Sequence, residues 1–125
     1  MSEIRRVEKP WGHEIIWAQT DQYVGKVLHI EPGHALSLQY HKVKDETIYV
    51  QLGTLIFELE NDAGEMETHR LGPGESRRIR AGKRHRMTAE TEVDLLEAST
   101  NHLDDVVRLE DRYGRVTGAK PAAIG

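Results

Sequence analysis

From His13 to Thr100 the chain is interrupted every few residues. Short runs rich in Val, Ile, Leu, Tyr and Thr alternate with clusters of Gly, Pro, Asn and Asp. Such punctuation points to antiparallel strands joined by tight turns, in a barrel or sandwich, and not to alternating βα units. The runs predict strands over Glu14–Ala18, Tyr23–Ile30, Leu36–His41, Thr47–Leu52, Thr54–Glu60, Met66–Leu71, Glu75–Ile79, His85–Thr88 and Val93–Ala98. Turns are expected at Glu31–His34, Asn61–Gly64, Gly72–Gly74 and Ala81–Lys83, with Gly53 as a tight connection or bulge. A helix is expected only near the end, over Leu103–Glu110. One all-β domain over 1–125 follows, with its core at about 8–116 and a tail over 117–125.

Composition narrows the chemistry. There is no cysteine, so disulfides and thiolate metal sites are excluded and any metal must bind nitrogen and oxygen. The first thirty residues carry charges throughout, so no signal segment is expected, and no apolar run nears the roughly 20 residues that cross a bilayer. The expectation is a cytoplasmic protein without a membrane partner. A net charge of −4 argues against nucleic acid. The one basic cluster, Arg77, Arg78, Arg80, Lys83, Arg84 and Arg86, reads equally as a solvated strand edge or an anion site.

The histidines matter by position. Side chains alternate along a strand, so Gln39 and His41 share one face. Leu36, Leu38 and Tyr40 take the other. A bend through Lys42–Asp45 returns Glu46 beside them, and Ile48 and Val50 continue its face. His85 opens a strand just after the Gly82 turn. Two imidazoles, a carboxylate and an amide oxygen form an N₂O₂ set for one divalent ion, zinc first, with manganese, iron, nickel and cobalt as alternatives. His13, His29, His34, His69 and His102 lack comparable partners by spacing and read as surface or loop residues.

Gly33 through Gly53, with its ligand pair, glutamate and closing glycine, resembles the first motif of the cupin superfamily. Gly72-Pro-Gly-Glu through His85 resembles the second, with Arg80 where proline is usual. Three further stretches are similar to type II phosphomannose isomerases: Lys9-Pro-Trp-Gly-His-Glu, Pro32-Gly-His-Ala-Leu-Ser-Leu-Gln-Tyr-His, and Asp104-Asp-Val-Val-Arg-Leu-Glu-Asp-Arg-Tyr-Gly-Arg. In that family glutamine replaces the first cupin histidine, as Gln39 does here. Two departures stand out. Lys42-Val-Lys44 occupies a stretch that is usually histidine-rich with an arginine, and these 125 residues lack the nucleotidyltransferase domain that many members carry.

The resemblance implies a single jelly-roll barrel and a metal-dependent interconversion of mannose 6-phosphate and fructose 6-phosphate through an enediol. It implies Glu97 and Arg108 as catalytic residues, Lys44 and Arg115 as contacts to the sugar phosphate, and a homodimer, to which the apolar strand around Glu14–Trp17 would contribute. Trp11 reads more readily as a barrel seal than as a sugar platform. Two other classes stay open: an oxygenase or lyase on the same metal site, and a sugar-binding cupin without turnover.

Overall fold

The computed structural model describes residues 4–117, so the expected tail lies, apart from Thr117, outside the described residues. Eleven strands form: β1 (Arg5–Lys9), β2 (Gly12–Gln19), β3 (Tyr23–Ile30), β4 (Leu38–Tyr40), β5 (Glu46–Leu52), β6 (Leu55–Glu60), β7 (Met66–Leu71), β8 (Ser76–Ile79), β9 (His85–Ala89), β10 (Val93–Thr100) and β11 (Val107–Glu110). Every pairing between strands is antiparallel. One sheet runs β1-β2-β3-β10-β5-β8 and the other β11-β4-β9-β6-β7. Facing each other, they form the walls of the jelly-roll barrel that the motifs imply. No helix among the described residues is long and apolar enough to cross a membrane.

Period-two alternation builds the interior. On β5, Glu46, Ile48 and Val50 are buried while Thr47, Tyr49 and Gln51 face out. Inward residues of both sheets meet in one cluster that includes Leu28, Ile30, Ile48, Phe57, Met87 and Leu95. Trp11 belongs to this cluster at 3% exposure, which fits a sealing role. Gly53 is required between β5 and β6. Its φ is +87°, and a Cβ there would fall 1.9 Å from the Glu92 carbonyl oxygen.

Several expectations need correction. Residues 103–110 are not helical: turns lead into β11, whose Val107 and Arg108 pair with Tyr40 and Gln39 of β4. The successive Asp104, Asp105, Val106 and Val107 favour helix poorly, and β4 would otherwise present an open edge. β1 has no apolar alternation to reveal it, because only Val7 and Lys9 are half-buried in a charged edge strand. Leu36 lies before β4 and packs against the core instead of covering the outer face. His29 is not without partners, since its Nδ1 lies 2.6 Å from Asp94 Oδ1 and its Nε2 3.2 Å from Glu31 Oε1. Most of the basic cluster is paired at the surface: Arg78 with Asp45, Lys83 with Asp62, Arg84 with Glu60 and Arg86 with Glu110.

Candidate metal centre

The sheet register assembles the ligands. Gln39 on β4 is the direct cross-strand partner of His85 on β9, so the two motifs meet side by side. His41 lies two residues beyond Gln39, on the same face. Gly82, in the turn before β9, donates its N–H to the His41 carbonyl at 2.6 Å and ties the two segments together. Glu46 enters from the opposite sheet at the start of β5. Its Oε1 lies 3.4 Å from His41 Nε2 and 3.5 Å from His85 Nε2.

The rings are held for ligation. His41 Nδ1 lies 2.5 Å from the Asp105 carbonyl and His85 Nδ1 3.0 Å from the Lys83 carbonyl. A carbonyl only accepts, so each Nδ1 carries the proton and each Nε2 presents its lone pair inward. Both Nε2 atoms are buried and have no hydrogen-bond partner among the described residues. Two orphaned imidazole lone pairs converging on one carboxylate are costly unless a cation satisfies them. The ligating atoms of His41, Glu46 and His85 lie within 4.8 Å of one another, close enough for bonds of about 2.0–2.2 Å to a shared ion. These residues fit a divalent metal. His29, Glu92 and Asp94 also cluster within that distance, but on a more exposed face and with both His29 nitrogens already paired.

Gln39 lines the same cavity, and its Oε1 accepts a 2.6 Å hydrogen bond from the buried Ser37 hydroxyl. The structure therefore brings three of the four expected ligands into mutual contact and sets Gln39 beside them. Ser37 and Asp105 are not legible as site residues in the sequence. Asp105 acts twice: its carbonyl orients His41, and its carboxylate accepts the backbone N–H groups of Lys42, Val43 and Lys44 at 3.0, 2.7 and 2.8 Å. A carbonyl leaves no mark in a sequence. The carboxylate could have been suspected from the polar loop that it closes.

Electrostatics separate the two buried carboxylates. Lys44 Nζ bridges them, 2.9 Å from Glu46 Oε2 and 3.0 Å from Glu97 Oε2. Burial would raise Glu46, but the His41 contact and the Lys44 charge override it and hold the carboxyl well below the usual range. Burial, followed by the Glu46 charge, pushes Glu97 up against the pull of Lys44 and Lys26. Burial opposes the Lys44 ammonium, yet Glu97 and Glu46 lift its pKa above the ordinary lysine value. Burial lowers His85, favouring the neutral ring that a metal needs.

The same cavity continues away from the ligands. Glu97 sits directly across from Lys26 on β3, and Lys26 Nζ lies 3.4 Å from Glu14 Oε1. Sequence reasoning also misses Glu14 and Lys26, although they share the inward parity of Ile16 and Leu28 on β2 and β3. Arg108 and Arg115 line the cavity as well. Arg115 is engaged by both Asp111 oxygens at 3.0 Å, whereas the Arg108 side chain has no hydrogen bond or ion pair among the described residues.

With this geometry in place, the family follows from comparison. Residues 26–98 match the family described as the cupin domain. The chain belongs to the cupin family. Among curated proteins this cupin is 36% identical over 117 residues to a mannose-1-phosphate guanylyltransferase of Escherichia coli (strain K12), covering 90% of the chain and 23% of that protein. It is 33% identical over 116 residues to the xanthan biosynthesis protein XanB of Xanthomonas campestris, covering 89% and 24%. The chain thus spans about a quarter of the length of these relatives. Among solved structures it resembles KdgF from Halomonas sp. (TM-score 0.68, 22% identity, 81% of this chain and 89% of that one). It also resembles oxalate decarboxylase from Bacillus subtilis (TM-score 0.75, 17% identity, 86% and 30%). At these identities the structural likeness speaks for the fold alone.

Asp105 supports a pH prediction. Burial would raise its carboxyl, but the three backbone N–H donors hold it at about 2, below the ordinary 3.8. A depressed carboxyl contributes stability that is fully present above about pH 4 and is lost as pH falls through about 2. Because the group is partly exposed, Asp105→Asn should cost about 1–2 kcal/mol at pH 7. In urea denaturation the gap between variant and wild type should narrow below about pH 4 and close as pH falls through about 2. A gap that stays constant with pH would contradict this assignment.

Proposed function

We propose that this cupin is a metal-dependent sugar-phosphate isomerase that interconverts mannose 6-phosphate and fructose 6-phosphate. One observation carries the reading: a single cavity is lined by His41 and Glu46 of the ligand triad, by the buried Glu97 carboxyl with its raised pKa, and by Arg108, which has no ion pair among the described residues. Aldose–ketose conversion asks for those three provisions together. The motif resemblance to type II phosphomannose isomerases supports the same substrate, as does a relative named for mannose 1-phosphate chemistry.

The net reaction moves one proton from C2 to C1 and one from the C2 hydroxyl to the C1 oxygen, through an enediol. His41, Glu46, His85 and Gln39 would hold a divalent ion, which would supply positive charge where negative charge develops on the sugar oxygens. Glu97 takes the C2 proton and returns it to C1, since a raised pKa makes its carboxylate a stronger base than an ordinary one. Lys44 keeps Glu97 ionised and fixes it against Glu46. Arg108 offers its fork to the anionic substrate, with Arg115 braced beside it by Asp111.

The test is a coupled assay with the purified chain supplied with zinc, manganese, cobalt or iron(II). Mannose 6-phosphate should be converted to fructose 6-phosphate with at least one of these ions, and chelation should stop it. No conversion with any of them would overturn the isomerase reading. Oxygen uptake with iron would then identify an oxygenase, and sugar binding without product a non-catalytic cupin.

A further inference from the structure

The cavity has a second pole away from the ligand triad. Lys9 at the end of β1, Glu14 on β2 and Lys26 on β3 converge on the six-stranded wall, and Arg108 faces the same space from β11 in the other sheet. Glu14 Oε1 is 3.4 Å from Lys26 Nζ and 4.0 Å from Lys9 Nζ. One carboxylate thus serves two ammonium groups, that of Lys26 buried and that of Lys9 half-buried. Asp111 neutralises Arg115, which leaves Arg108 without an acceptor among the described residues. Lys9, which shares Glu14 with Lys26, and Arg108, which has no ion pair among the described residues, therefore face one cavity with their charges incompletely matched.

Such crowding is unfavourable in a protein interior unless an anion relieves it. Burial lowers both groups; Glu14 offsets part of this at Lys9, where Lys26, Arg108 and Arg115 add repulsion, and Arg115 repels Arg108 against the pull of Asp111 and Glu14. The arginines of β8 differ, because they lie on an edge strand, where Arg78 is exposed and already grips Asp45. The enclosed pair instead resembles a socket built from both sheets, with Glu14 fixing the two lysines in place.

We propose that Lys9 and Arg108 seat a phosphate dianion: the phosphoryl end of a sugar phosphate whose reacting carbons lie at the ligand triad. The identity of the sugar rests on the isomerase reading, whereas the seat rests on the charges of the cavity alone. An arginine without an ion pair and a lysine that only shares its carboxylate suit a phosphate monoester, which is close to doubly ionised at pH 7. Lys9 supplies a point charge and Arg108 a planar fork, so the seat has both strength and direction. Holding the phosphoryl group there fixes the reach of the substrate and supplies binding energy remote from the reacting carbons.

Calorimetric titration of the purified, metal-containing chain with inorganic phosphate tests this. Lys9→Gln and Arg108→Gln should each weaken phosphate binding by about 10-fold or more, the scale of one lost charge-assisted hydrogen bond. Metal content should be unchanged, and Arg77→Gln on β8 should bind phosphate like the wild type. The KM for mannose 6-phosphate should rise in parallel in both seat variants. Phosphate affinity within twofold of wild type in both would overturn the seat, because the anion would then be held by the metal or the surface. A wild type that binds no phosphate would overturn it equally. If phosphate binding falls as expected but no variant or wild type turns over a sugar phosphate, the isomerase reading fails and the seat stands. If isomerisation proceeds with KM unmoved, the seat fails and the isomerase reading stands.

Discussion

His85→Ala should emerge from purification without its divalent ion and without isomerase activity. The ring contributes one of the two orphaned Nε2 lone pairs. Loss of an outer-sphere partner alone typically costs about 10–100-fold in metal affinity, so removal of a ligand should cost more than about 100-fold. The remaining His41, Glu46 and Gln39 would give an open site of low affinity. His85 is fully buried near Phe57, so its truncation also leaves a cavity and should lower the melting temperature. Metal content measured on folded, monodisperse protein separates the two effects. A full equivalent of metal in a folded His85→Ala protein would remove His85 from the site.

Lys44→Met should be the most destabilising single change in the cavity. It leaves Glu46 and Glu97, both almost fully buried, facing each other without the ammonium that bridges them at 2.9 and 3.0 Å. Breaking a buried pair by removing one partner costs about 3–5 kcal/mol. Because the pKa of Lys44 is raised in the folded state, its stabilisation is complete below the ordinary value of 10.5 and fades only in strong alkali. The full loss should therefore appear at pH 7 in chemical denaturation. It should shrink on acidification, as Glu97 takes up a proton and the repulsion is relieved. A variant as stable as wild type at pH 7 would show that the bridge contributes no net stability.

These residues also show what the sequence could and could not reveal. Alternation on β5 identifies Glu46, Ile48 and Val50 as inward, because a half-buried strand must repeat with period two. The spacing of Gln39, His41 and His85 carries the site for the same reason, reinforced by the turn at Gly82. Parity also marks Lys26 and Glu14 as inward, yet charged residues at apolar positions are easily taken for surface. Other features depend on partners distant in the chain. β1 and β11 are short edge strands whose pairing with β2 and β4 is decided by the sheet and not by local propensity. The Asp105 carbonyl holds His41 from 64 residues away, and no side chain announces that contact.

That one divalent ion sits among His41, Glu46 and His85 is tested most directly by anomalous diffraction. Crystals grown with zinc or manganese would be recorded at the absorption edge of that metal. The prediction is a single strong peak at about 2.0–2.2 Å from both Nε2 atoms and Glu46 Oε1, with Gln39 Oε1 completing the set. A peak at His29, Glu92 and Asp94 instead, or no peak between the two buried imidazoles, would contradict it.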